Sequence, residues 1–187
     1  LRGSRLDYLD RHESRGHHVD FLDPGPDNCD PDELVAAARR HQPRYAIAGD
    51  YTGDNYAEIH ELADRLRPHA HRVIVVPHSS GEVEQVPEWC VVGYSVPSDY
   101  AGTTAPVWEY RGRDVHVLGG TIEQSFEVQS YLGGDVISWD CNAFHRSATE
   151  YAKWWGGSSP HWRRLPAAAP APDNVQQAYE RTLLNLG

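Results

Sequence analysis

The chain has 187 residues, a formal net charge of −10 and 40% hydrophobic residues, which predicts one globular domain with a sizeable core. No apolar run approaches the ~18 residues of a membrane helix and no signal peptide is visible, so a membrane span is excluded and the cytoplasm is expected. The excess of acid argues against a non-specific nucleic-acid binder, whose affinity rests on releasing counterions from phosphates.

Apolar runs then alternate with helical patterns, the signature of repeated β-α units and a parallel sheet. The predicted strands are His18–Asp23, Tyr45–Asp50, Val73–Pro77, Cys90–Tyr94, Val115–Leu118 and Val136–Asp140. Between the first two lies a helix over Pro31–His41, with Asp30 as its N-cap and Pro31 in its first turn. A second helix, Asn55–Arg67, carries Ile59, Leu62, Ala63 and Leu66 on one face. A third, Ile122–Leu132, is ended by Gly133-Gly134. Pro166–Pro172 reads as a semi-rigid linker leading to a terminal helix, Asn174–Leu186. The domain boundary therefore falls after residue 165, with 166–187 as linker and helix. The expected fold is α/β, a truncated or minimal TIM-like barrel of parallel strands, since six strands are two short of closure. Weak strands in Leu1–Gly16 or around Trp108 would supply the missing pair. A doubly wound sheet is the alternative, although Asp23-Pro24-Gly25-Pro26 is not its glycine-rich turn.

Three of these strands end in aspartate: Asp23, Asp50 and Asp140. In a parallel barrel such ends share one rim, where α/β barrels keep their chemistry. The competing reading is that aspartate after a strand caps the next helix, which for Asp140 would run over Asn142–Trp154. Two carboxylates flanking a glycosidic bond suit displacement through an oxocarbenium-like transition state, one attacking the sugar carbon and one moving protons. His78, directly after the third strand, could reach the same rim.

The stretch Gly119-Gly120-Thr121, a helix, Gly134-Asp135-Val136, Asp140-Cys141 and then Arg146 resembles the tRNA-guanine transglycosylase pattern. That family places its nucleophilic aspartate in an MFDC element with an arginine six residues later, and SWDCNAFHR keeps the step from Asp140 to Arg146. The resemblance runs over Val19–Arg146. It implies Asp140 as nucleophile, Asp23 in acid–base chemistry and Asp50 as reader of the base. It further implies a purine pocket at Gly93 and Tyr94 within VVGYSV, with Gly119, Gly120 and Arg146 binding substrate. The family's CxC-x-x-C zinc set and its RNA-binding appendage are missing, so the chain is more similar to the small phage and archaeal-virus relatives that insert 7-deazaguanines into DNA. The implied activity is exchange of guanine in DNA, rather than tRNA, for a 7-deazaguanine such as preQ0. A non-catalytic subunit that binds a nucleobase or a partner is the rival, and a hydrolase using water in place of the incoming base is the third reading.

The remaining composition is consistent with this. Cys29, Cys90 and Cys141 are isolated thiols, neither a disulfide framework nor a zinc site. The eleven histidines lack the i,i+4 spacing of a helical metal pair. No metal and no cofactor is therefore expected. Lys153 is the only lysine among 17 basic residues, a bias that fits a high-GC genome or a salt-adapted host. Arg146, Lys153, Arg163 and Arg164 form a local basic patch that could face a polyanion, and Trp139, Trp154, Trp155 and Trp162 could stack bases or pack in a core. No methionine is present and the chain begins at Leu1, which leaves residues upstream to be expected. A homodimer or a partner subunit remains open.

Overall fold

The computed structural model describes residues 19–25, 30–98, 102–140, 153–155 and 162–164. Its main sheet contains β1 (Phe21–Leu22), β2 (Tyr45–Asp50), β3 (Arg72–Val76), β4 (Val91–Ser95), β5 (Val115–Leu118) and β6 (Val136–Asp140). Three helices connect these strands: α1 (Pro31–His41), α2 (Tyr56–Leu66) and α3 (Ile122–Leu132). Short 3-10 turns cover Val83–Gln85, Val107–Tyr110 and Gly133–Asp135. The expected strand near Trp108 is thus a 3-10 turn, and Leu1–Gly16, Arg146, Pro166–Pro172 and Asn174–Leu186 lie outside the described residues.

The strands run parallel and lie in sequence order, β1-β2-β3-β4-β5-β6. This order decides against the doubly wound alternative, which must reverse direction at a switch point. Connections of constant hand that always step the same way leave the helices on one side and curl the sheet away from them. The curl is tight enough that Phe21 of β1 stacks on His116 of β5, with ring centroids 5.2 Å apart. The result is a six-stranded half barrel.

Each face of the sheet has its own core. On the helix side, Ala46, Val73, Val75, Val92, Val115 and Val117 pack against Leu34, Ala38, Ala63, Leu66, Val128 and Leu132. Leu34 and Leu66 are fully buried, and each contributes about 1.5–3 kcal/mol from its removal from water. On the concave side, Ile47, Ile74, Val76 and Val91 form a smaller cluster with Phe21, Tyr45, Leu118 and Ile137. Strands apolar on both faces are what a sheet covered on both sides requires.

Local chemistry sets the helix ends. Asp32 N donates to Asp30 Oδ1 at 2.9 Å, capping α1, and Gln42 closes the helix in the left-handed conformation. Thr121 and Gln124 form a reciprocal capping box at the start of α3, satisfying two otherwise orphaned amides. Lys153–Trp155 and Trp162–Arg164 pair as a separate antiparallel hairpin, β7-β8, with Trp155 opposite Trp162. A helix over Asn142–Trp154 therefore cannot keep its last two residues. Aromatic residues favour the pleated ribbon, and their short spacing suits a hairpin.

Candidate functional site at the carboxyl ends of the strands

The two best-defined strand ends meet between β2 and β3. Asp50 lies opposite Val76 in the register, which brings the next side chain but one, His78, beside it. Asp50 Oδ2 is 3.3 Å from His78 Nε2. The other ring nitrogen, Nδ1, lies 3.4 Å from the Gly102 carbonyl oxygen. Both imidazole nitrogens thus face acceptors, an arrangement that favours the doubly protonated ring. The hydrogen bond to Asp50 raises the His78 pKa above its ordinary 6.5 and outweighs the opposing effect of burial.

The peptide that carries His78 is held from three sides. Glu82, buried at 8% exposure, accepts hydrogen bonds from His78 N at 2.7 Å and Ser79 N at 2.8 Å. Tyr56 Oη donates to the other carboxylate oxygen of Glu82 at 3.3 Å. The His78 carbonyl accepts from Thr104 N at 2.7 Å and from both the Thr103 and Thr104 hydroxyls. Tyr110 Oη donates to the neighbouring Pro77 carbonyl. On the β2 side, Asn55 Nδ2 donates to the Asp50 carbonyl at 3.0 Å and Asn55 Oδ1 accepts from Thr52 N. Such supporting bonds hold the backbone that presents the two side chains.

The other residues singled out from the sequence distribute as follows. Asp23 follows β1, and its Oδ1 accepts from Gly25 N at 2.7 Å in a tight turn. Asp140 ends β6 opposite Leu118, half-buried, with its carbonyl accepting Gly119 N at 2.7 Å. Gly119 and Gly120 both have positive φ, 69° and 73°, so the turn over the end of β5 needs residues without a Cβ penalty. Asp23, Asp50, His78, Gly119-Gly120 and Asp140 therefore all occupy carboxyl-terminal ends of one parallel sheet.

Gly93 and Tyr94 sit differently. A Cβ on Gly93 would meet Val76 Cγ2 at 2.7 Å and Leu118 Cδ1 at 2.8 Å, so its concave face is filled by apolar side chains. Tyr94 turns to the helix side, buried, with its ring edge-on to Tyr110 at 5.0 Å. Burial raises its pKa. Arg146 lies outside the described residues, as does Cys141. Cys90 is buried and its thiol is pushed up to about 12 by desolvation, which makes it a packing residue and a poor nucleophile.

A cleft of about 590 Å³ opens at the opposite end of the sheet, lined by Asp20, Arg44, Tyr45, Arg72, Asp114 and Ile137 among others. These residues precede or begin their strands, and Arg72 is bridged to Asp114 at 2.9 Å. Parallel α/β sheets present reacting groups at the carboxyl ends, so the Asp50–His78 rim is a stronger candidate than this cleft. Among the described residues no group of three or more histidine, cysteine, aspartate or glutamate side chains is arranged to hold a metal ion. Nor is any described helix long and apolar enough to cross a membrane.

Residues 1–186 match the family model described as "Family of unknown function (DUF6610)". The chain belongs to DUF6610. No curated protein and no solved structure matches it. For this DUF6610 chain the sequence pointed to the strand-end aspartates but missed what supports them. Glu82, Thr103, Thr104 and Tyr110 lie far from Asp50 in sequence, and nothing in their local spacing marks them. Only the adjacency of His78 to the VIVVP strand gave a usable signal.

Proposed function

We propose that the chain is a base-exchange glycosyltransferase that replaces guanine in DNA, in preference to tRNA, by a 7-deazaguanine such as preQ0. In this reading the half barrel is a reduced TIM-like barrel acting in the cytoplasm, where free base and polymer meet. Asp140 attacks C1′ as guanine departs, forming an aspartyl-sugar ester, and the incoming base attacks from the same face with net retention. Asp50 reads the N1–H and amino edge of the purine, while Asp23 and Arg146 serve as proton shuttle and phosphate or carboxylate contact. The observation that carries this reading is the placement of Asp23, Asp50 and Asp140 at the carboxyl ends of β1, β2 and β6 of one sheet. The spacing from Asp140-Cys141 to Arg146 adds the transglycosylase likeness.

The test is incorporation of radiolabelled guanine or preQ0 into DNA and tRNA in parallel, with Asp140→Asn as the control. Label in DNA, abolished by the variant, is the expected result; undiminished label with Asp140→Asn sinks the assignment. The six described strands of a sheet that closes only with about eight favour a second reading. Here the chain is a base- or partner-binding subunit completed by another copy or another protein. Absence of label from both polymers with the chain alone, and its appearance on adding a partner subunit, would identify that case.

A further inference from the structure

We infer that His78, in the place given above to Asp23, is the group that gives a proton to the departing purine and takes one back from the incoming base, an inference that otherwise rests on the base-exchange reading above. Breaking the bond between C1′ and the base leaves the electron pair on the purine. A neutral product then requires a proton at a ring nitrogen as the Asp140 ester forms. In the return step the incoming base loses its N–H proton as its nitrogen bonds to C1′ and the ester opens. One imidazole that cycles between charged and neutral forms balances both halves without any further reactant.

The geometry suits His78 to this task better than a carboxylate. Its Nε2 lies on the side of Asp50, whose side chain is 55% exposed, while Nδ1 is turned to the Gly102 carbonyl. The 3.3 Å between Nε2 and Asp50 Oδ2 is long for a charge-assisted hydrogen bond, which is usually ~2.8 Å, so the proton is not locked to its partner. The ring's place is nevertheless fixed through its own backbone by Glu82, Thr103 and Thr104. The charged groups acting on the imidazole are Asp50 from β2 and Glu82 from the turn after β3, both acidic, joined by the Gly102 carbonyl dipole. All three stabilise the imidazolium, which keeps an acid available near neutral pH. Asp23, by contrast, is already engaged with the Gly25 amide.

The experiment measures exchange of preQ0 into guanine-labelled DNA from pH 5.5 to 9 for the wild-type protein, His78→Gln and Asp50→Asn. The same proteins are assayed for release of base from DNA bearing 7-methylguanine, which departs without needing a proton. With guanine, the wild-type rate should fall on the alkaline side. His78→Gln should lower it ~100-fold or more at pH 6.5 and abolish that fall. With 7-methylguanine, His78→Gln should stay within a few-fold of wild type. Asp50→Asn, which also lowers the rate because Asp50 reads the base edge, should move the alkaline fall of the residual exchange to lower pH, an outcome readable even if His78→Gln does not fold. Exchange by His78→Gln with an unchanged profile, or an equal loss on both substrates, overturns the role of His78 and leaves the transferase reading intact. No exchange by the wild-type protein at any pH overturns both.

Discussion

His116 offers a direct measurement of how dry the concave side of the sheet is. It is 1% exposed, its ring stacks on Phe21, and its Nδ1 lies 2.8 Å from Ser138 Oγ. Nε2 has no hydrogen-bond partner among the described residues. Burial without an anion penalises the charged ring and pushes its pKa from 6.5 down to about 4. The unfolded chain therefore binds a proton at this residue near pH 6.5, whereas the folded chain does so only near 4. Between those values the unfolded state holds more protons, so stability is complete above 6.5 and declines as the pH falls. At about 1.4 kcal/mol per pH unit the full loss is about 3 kcal/mol. About 2 kcal/mol of it accrues between pH 6.5 and 5, before most carboxylates titrate.

His78 works in the opposite direction. Its raised pKa adds stability below the ordinary histidine range, and that contribution disappears as pH rises through the folded value. The two effects are separated by comparing the wild-type protein with His116→Phe, which keeps a ring against Phe21 but cannot titrate. Urea unfolding from pH 7.5 to 5 should show the wild type losing about 2 kcal/mol more than the variant. That is a relative shift in midpoint of about 1 M if m is ~2 kcal/mol/M. Parallel losses in the two proteins would refute the argument that His116 is held neutral by burial.

Other outcomes follow from the same packing. Glu82→Ala removes the acceptor of the His78 and Ser79 amides and of Tyr56 Oη. It should cost about 2–4 kcal/mol in chemical denaturation and speed amide exchange at His78. Gly93→Ala places a methyl 2.7 Å from Val76 Cγ2 and 2.8 Å from Leu118 Cδ1. The resulting overpacking should destabilise by about 1–3 kcal/mol, whereas a neutral Tm would mean that the concave core is loosely filled. The Asp140→Asn and His78→Gln experiments described above test the chemistry.

Much of the fold was legible because it depends on local pattern. Strands β2, β5 and β6 and helices α1 and α3 occupy the expected residues, since continuous apolar runs, Asp30-Pro31 and the glycines after α3 are signals carried within a few neighbours. The parallel α/β class follows from their alternation. The hairpin Lys153–Trp155 with Trp162–Arg164 was not legible as such, because its strands are three residues each and carry no period that distinguishes them from a helix end.

The sequence by itself determined which side chains stand at the strand ends: Asp23, Asp50, His78 and Asp140 are placed by where each apolar run stops. Tertiary structure alone decided which of them meet. The register of β2 on β3 sets Asp50 beside His78, and a turn closed by Glu82 holds the ring there. Tyr94 shows the same division: its position beside Gly93 was plain, but the strand's alternation sends its ring to the helix side. Pairing, curl and the direction of a side chain arise from contacts between residues distant in the chain. Those are energies of the assembled sheet, and no local window of sequence contains them.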